Sequence, residues 1–115
     1  MNANARKWVK ALRSGKYEQA RGALRVEDAF CCLGVACDIS GLGKWEEYRL
    51  YQQYLGQQIF LPHAVKEWLG LQDCFGSLSH PWSLAALNDS GRSFNEIADI
   101  IEGNSEKLFK MRKDQ

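Results

Sequence analysis

The chain has 115 residues, 45% of them hydrophobic and 25% charged, with two prolines and a formal net charge of +1. A chain of this size forms one domain, able to bury roughly two-thirds of its unfolded surface, and its composition excludes a disordered polymer. It has no apolar run long enough for a membrane span and no signal-peptide core near its start, so a cytoplasmic protein with four free thiols is expected.

The charge is unevenly placed. Residues 1–25 carry seven basic side chains against Glu18, residues 26–106 carry four basic against twelve acidic, and residues 107–115 are basic again. This layout fits ends that fold back on the middle, protomers that associate head to tail, or an anionic partner.

Taken in chain order, Ala5, Trp8, Val9 and Leu12 fall at i, i+3, i+4 and i+7, the stripe of an amphipathic helix that Ser14-Gly15 stops. Its other face carries Arg6, Lys7, Lys10 and Arg13. Lys16 to Ala20 reads as a turn or short helical piece. Gly22 to Val26 reads as a strand, Glu27-Asp28 as a turn, and Ala29 to Cys32 as a returning strand. Ala29 to Cys37 is nine residues without a polar side chain and holds three of the four cysteines, so it must be interior. A buried helix is expected over Leu33 to Ile39, ended by Gly41 and Gly43.

Trp45 to Leu61 is rich in aromatics and glutamine with no clean 3.6 period. It fits two strands turning around Leu55-Gly56, or one helix over Trp45 to Tyr54; the hairpin is favoured. Leu61-Pro62 opens a helix of about two turns with Pro62 in its first position, Leu61 stapled to Val65, and Gly70 as cap. Gln72 to Ser79 is loop, and Ser83 to Leu87 is one helical turn. Ser93-Phe94-Asn95-Glu96 is a capping box, and Phe94, Ile97, Ala98 and Ile101 continue as an apolar stripe. Gly103-Asn104 ends that helix. Ser105 to Met111 can add a further turn before a charged tail.

No catalytic constellation is visible. Cys31, Cys32 and Cys37 have neither the CxxC knuckle of a zinc ribbon nor an iron–sulfur spacing, and free cysteine packs as a small hydrophobe. Neither His63 nor His80 carries a local signature of a base for a cysteine nucleophile. No phosphate-cradling glycine loop is present. Asp38, at the edge of the buried helix, must find donors, and Arg21, Arg25 or an amide array are the candidates; it reads as a buried ion pair or cap, or else as a ligand-binding carboxylate. Trp45, Tyr48, Tyr51 and Tyr54 near Arg49 read as core or as a surface that stacks on bases or a nucleotide. Residues 91–113 allow a helix-turn-helix reading, with Ser105 to Met111 as recognition helix, Leu108 and Met111 inward, and Lys107, Lys110, Arg112 and Lys113 facing phosphates. The late Gly103 and the acidic Asp89, Glu96, Asp99 and Glu102 oppose it.

Three blocks together resemble a family of small uncharacterised bacteriophage and prophage proteins. They are Trp8 to Tyr17 running on to Cys31-Cys32-Leu33-Gly34-Val35 and Cys37-Asp38; Leu61-Pro62 with Val65 and Trp68-Leu69-Gly70-Leu71; and Leu87 to Gly91 with Ser93-Phe94 and Ile97 to Glu102. The resemblance implies a phage accessory protein acting in the host bacterial cytoplasm. By analogy it also implies an anti-defence role, in which a host factor is bound and neutralised.

The sequence thus predicts an α+β protein, a single small domain over 1–115 with a short antiparallel β-hairpin sheet packed against about four helices and a frayed tail over 105–115. The expected function is non-enzymatic binding of a host protein or a small nucleotide ligand, with no metal, no cofactor and no membrane. Homo-oligomers are an option, and a nucleotide would meet Arg21, Arg25, Asp38, Trp45, Tyr48 and Arg49. The alternative is nucleic-acid binding through residues 91–113.

Overall fold

In the computed structural model, Phe30 to Cys37 are all buried, as their lack of charge requires. The structure describes residues 1–110. The centre is helix α2 (Cys32–Ser40), buried over Cys32 to Cys37 because α1 (Ala3–Arg13), α3 (His63–Leu69) and α4 (Leu84–Asp89) all pack on it. Helix α5 (Phe94–Gly103) lies against α1 and α4, and the single turn α6 (Ser105–Leu108) follows it.

A helix that starts inside a protein must satisfy its first amide groups there. Cys31 is the N-cap of α2, its sulfur accepting from the Gly34 N–H at 3.4 Å, while the Cys32 N–H donates to Asn88 Oδ1 at 3.1 Å. Gly34 is fixed by closeness: a Cβ there would stand 1.8 Å from the Leu24 carbonyl oxygen. The Trp8 indole N–H donates to the Cys32 carbonyl at 2.9 Å and ties α1 to this turn.

The sheet is larger than the predicted hairpin. Five short strands, β1 (Glu18–Gln19), β2 (Arg25–Val26), β3 (Ala29–Phe30), β4 (Trp45–Tyr48) and β5 (Tyr51–Tyr54), lie in the order β1-β3-β2-β5-β4. The β1–β3 pair is parallel and the others antiparallel, so the sheet is mixed. Residues expected as turn or helix (16–20) contribute β1, with the Ala20 N–H donating to the Phe30 carbonyl at 2.8 Å. Strands of two residues have no side-chain period to read. For the same reason the expected strands over 22–26 and 29–32 shrink to pairs of residues, and Cys31 and Cys32 join the helix.

The hairpin favoured over 45–61 is present, but its turn is Arg49-Leu50. Trp45 pairs with Tyr54 and Tyr48 with Tyr51, so aromatic cross-strand partners set the register. Leu55-Gly56 makes a second tight turn in which Tyr54 and Gln57 exchange backbone hydrogen bonds at 2.9 and 3.0 Å. Pro62 is the N-cap of α3, one position before the first helical residue expected for it, and Gly70 caps the helix in the left-handed conformation. The segment over 83–87 is a full short helix, α4. The Ser93–Glu96 capping box forms in both directions.

Residues 105–110 are held. Leu108 and Phe109 are buried, the Gln72 N–H donates to the Leu108 carbonyl at 2.9 Å, and the Lys110 N–H to the Gly70 carbonyl at 2.8 Å. Among the described residues, the recognition helix of the alternative reading, Ser105 to Met111, is helical only over Ser105–Leu108. The chain turns extended at Phe109, and α6 is four residues long with Leu108 inward. Met111, Arg112 and Lys113 lie outside the described residues. The basic ends do fold back on the acidic middle: Arg13 bonds Asp99 (2.8 Å) and Glu102, and Lys110 bonds Glu67 at 2.9 Å. Among the described residues no helix is long and apolar enough to cross a membrane.

Candidate functional site

Three of the six predicted ligand residues meet on the sheet. Asp38 lies on the exposed side of α2, where one carboxylate oxygen accepts from the Tyr17 hydroxyl at 2.7 Å and the other from the Trp45 indole N–H at 3.0 Å. Phe30 stands edge-on between Tyr17 and Trp45, at 5.1 and 5.7 Å between ring centroids. The Arg25 guanidinium lies over Phe30 at 4.8 Å and Trp45 at 5.5 Å. Asp38 was expected to pair with Arg21, Arg25 or an amide array. It takes phenol and indole donors because Arg25 is turned to its own β2–β3 turn, bonding the Glu27 carbonyl at 2.7 Å. Nor is Asp38 buried. This cluster spends its hydrogen-bonding capacity on itself: it fixes α2 to the sheet.

The other three lie apart. Arg21 is exposed and rests against Gly91. Tyr48 and Arg49 form the hairpin tip, with the guanidinium 5.4 Å from the Tyr48 ring. Trp45 and Tyr48, three residues apart on one strand, face opposite sides of the sheet.

A concave feature lies elsewhere, between α4, α5 and the turn over residues 79–82. In that turn the Trp82 N–H donates to the Ser79 carbonyl at 2.8 Å across the cis His80–Pro81 bond. The groove holds about 400 Å³, within the range of small-ligand pockets. Leu78, Leu87, Ile100 and the half-exposed Trp82 supply its apolar surface; Arg92 and Lys107 supply positive charge at its rim. Arg92 pairs with Glu96 at 3.4 Å, whereas Lys107 makes no ion pair among the described residues and reaches Ser79 Oγ at 3.4 Å. Sequence reasoning did not join Trp82, Arg92 and Lys107, since they come from a loop, an interhelical turn and α6.

Next in sequence to Leu87 of the groove, Asn88 is buried and fully used. Its carbonyl oxygen accepts from the Cys32 N–H and from Gln19 Nε2 at 2.8 Å, and its amide donates to the Ala20 carbonyl at 2.8 Å. Asp89 accepts from the Gly22 N–H at 2.9 Å. The Asn88-Asp89 pair therefore binds α4 to both β1 and α2.

Burial raises the thiols of Cys31, Cys32 and Cys37 above their ordinary range, Cys31 to about 11, so none of these three is a thiolate at neutral pH. Among the described residues no three His, Cys, Asp or Glu side chains stand close enough to share a metal ion.

A family model described as "Domain of unknown function (DUF8296)" matches residues 1–105. The chain belongs to this family. The matched span takes in the α2 segment, the Asn88-Asp89 pair and every groove residue except Lys107. No curated protein and no solved structure matches the chain.

Proposed function

We propose that the protein works by binding, not by catalysis, and that the groove between α4 and α5 takes a small planar anion of the nucleotide class. One observation carries this reading: a half-exposed indole, an apolar floor and two cations line one cavity of about 400 Å³. A base or other flat ring gains by stacking on Trp82, and phosphate oxygens gain by facing Arg92 and Lys107. The buried, neutral thiols and the self-satisfied Asp38 cluster support binding over chemistry. The resemblance to phage proteins supplies the setting in this proposal, a host cytoplasm in which a nucleotide signal is withheld from its receptor.

Thermal-shift screening against linear and cyclic nucleotides tests the reading. A ligand at a hundred times its Kd stabilises the fold by about 2.7 kcal/mol, which is easily seen. Trp82→Ala and Lys107→Glu should each reduce the shift. If no nucleotide moves the wild-type transition, or the shift persists undiminished in Trp82→Ala, the groove is not the site.

A further inference from the structure

We propose that the free edge of β4 is a docking strand for an extended, basic segment of a partner protein. This is a second surface, separate from the groove. β4 ends the sheet, so alternate residues turn their backbone N–H and C=O groups away from β5. Among the described residues, only Gln58 Nε2, on the Tyr48 carbonyl at 2.8 Å, bonds the β4 backbone from outside the β4–β5 pair. Natural edges are guarded by shortness, charged side chains, proline, a bulge or a covering element. β4 has no proline, bulge or lysine, and its only guards are its short length and two acidic side chains: it is Trp45-Glu46-Glu47-Tyr48 in regular register, exposed over its last three residues.

The charge on the strand selects the occupant. Neither Glu46 nor Glu47 enters an ion pair among the described residues. Successive residues face opposite sides of a sheet, so an added strand meets one glutamate on each face. A second copy is disfavoured, because antiparallel pairing of β4 with itself brings residues of the same orientation face to face and sets Glu46 against Glu46 or Glu47 against Glu47, and parallel pairing sets Glu46 against Glu47. Nucleic acid is repelled by the same charges. An added strand with two adjacent basic residues pairs one with each glutamate, and β-branched neighbours then meet Trp45 and Tyr48, a favourable aromatic pairing. Around the tip, Leu50 is 85% exposed and Tyr48 and Tyr51 are 46% and 36% exposed, giving the added strand apolar surface to cover. Main-chain pairing supplies affinity and the glutamates supply choice, the usual division in strand addition.

The test uses a labelled, end-blocked hexapeptide, threonine–valine–lysine–lysine–valine–threonine, titrated against the full chain by fluorescence anisotropy. Binding should weaken at least about tenfold when the central pair is glutamate, since like charges then face each other across the added pair. Two further peptides, N-methylated on one alternate set of amides or the other, block whichever edge faces β4, and at least one should lose binding. Glu46→Lys with Glu47→Lys should reverse the charge preference while leaving the groove's nucleotide response unchanged. Absence of binding by the lysine peptide, equal binding of both charge forms, or full binding by both methylated peptides each overturns the proposal.

Discussion

Two residues carry more of this fold than their chemistry advertises. Gly34 lies where α2 crosses the Leu24 backbone, and with 1.8 Å between a Cβ and a carbonyl oxygen no side-chain rearrangement can help. Gly34→Ala should therefore cost at least about 3 kcal/mol, a large share of a small domain's stability, and denaturant unfolding would measure it. Asn88→Ala leaves the buried Cys32 N–H and Ala20 carbonyl without partners and should cost about 3 kcal/mol as well; a loss under about 1 kcal/mol would mean that water replaces the amide. The interior place of Gly34 was legible, since it sits in the uncharged run. The role of Asn88 was not: its partners lie 56, 68 and 69 residues away, and no local pattern encodes them. The thiols divide the same way. Cys31, Cys32 and Cys37 are buried and Cys74 is partly exposed, so a thiol reagent should label one cysteine in the native protein and all four only after unfolding.

At the scale of elements, legibility followed the length of the periodic signal. The eleven-residue α1 and ten-residue α5 have apolar stripes that repeat over several turns, and both appear where the spacing puts them. Two-residue strands repeat nothing, so the β1 segment reads as a turn or short helical piece. The hairpin was readable as two strands, but its register depended on which aromatics meet, and that is a tertiary fact. The candidate groove was hidden for a related reason: Trp82, Arg92 and Lys107 converge only after α4 and α5 pack. The capping box permits a local test. Ser93→Ala removes the acceptor of the Glu96 N–H and should lower stability by about 1 kcal/mol, whereas Ser93→Asp should nearly preserve it. Equal losses for both variants would show that burial of Phe94, and not the cap, holds the start of α5.

For the whole molecule, opposite charges near in space matter less than the groups whose ionisation folding changes. The Arg13 and Lys110 pairs are exposed, and salt screens them. On the acid side three carboxyl groups are held below their usual range. Glu67 is lowered by Lys110 and then Lys66, and Glu96 by the Ser93 amide and hydroxyl. For Asp73, burial raises the carboxyl, but the Phe75 and Ser77 amides outweigh it. A depressed carboxyl contributes stability above its unfolded pKa and loses it as pH falls through the folded value, so melting temperature should drop below about pH 4. On the alkaline side the signs reverse. Cys31, Cys32 and Cys37 are raised by burial from an ordinary value of 9.0, and Tyr17 is raised to about 12 by burial and then by its bond to Asp38. A raised group contributes fully below its unfolded pKa, and the unfolded chain ionises first as pH climbs, so stability should fall progressively above about pH 9. A melting series across pH 3–11 should show a plateau with both shoulders, and a triple Cys→Ala or Cys→Val variant should lose most of the alkaline one even if its plateau is lower. If the alkaline shoulder is absent in the wild type, or unchanged in that variant, the cysteines of α2 are not the dry, neutral centre from which the rest of the packing follows.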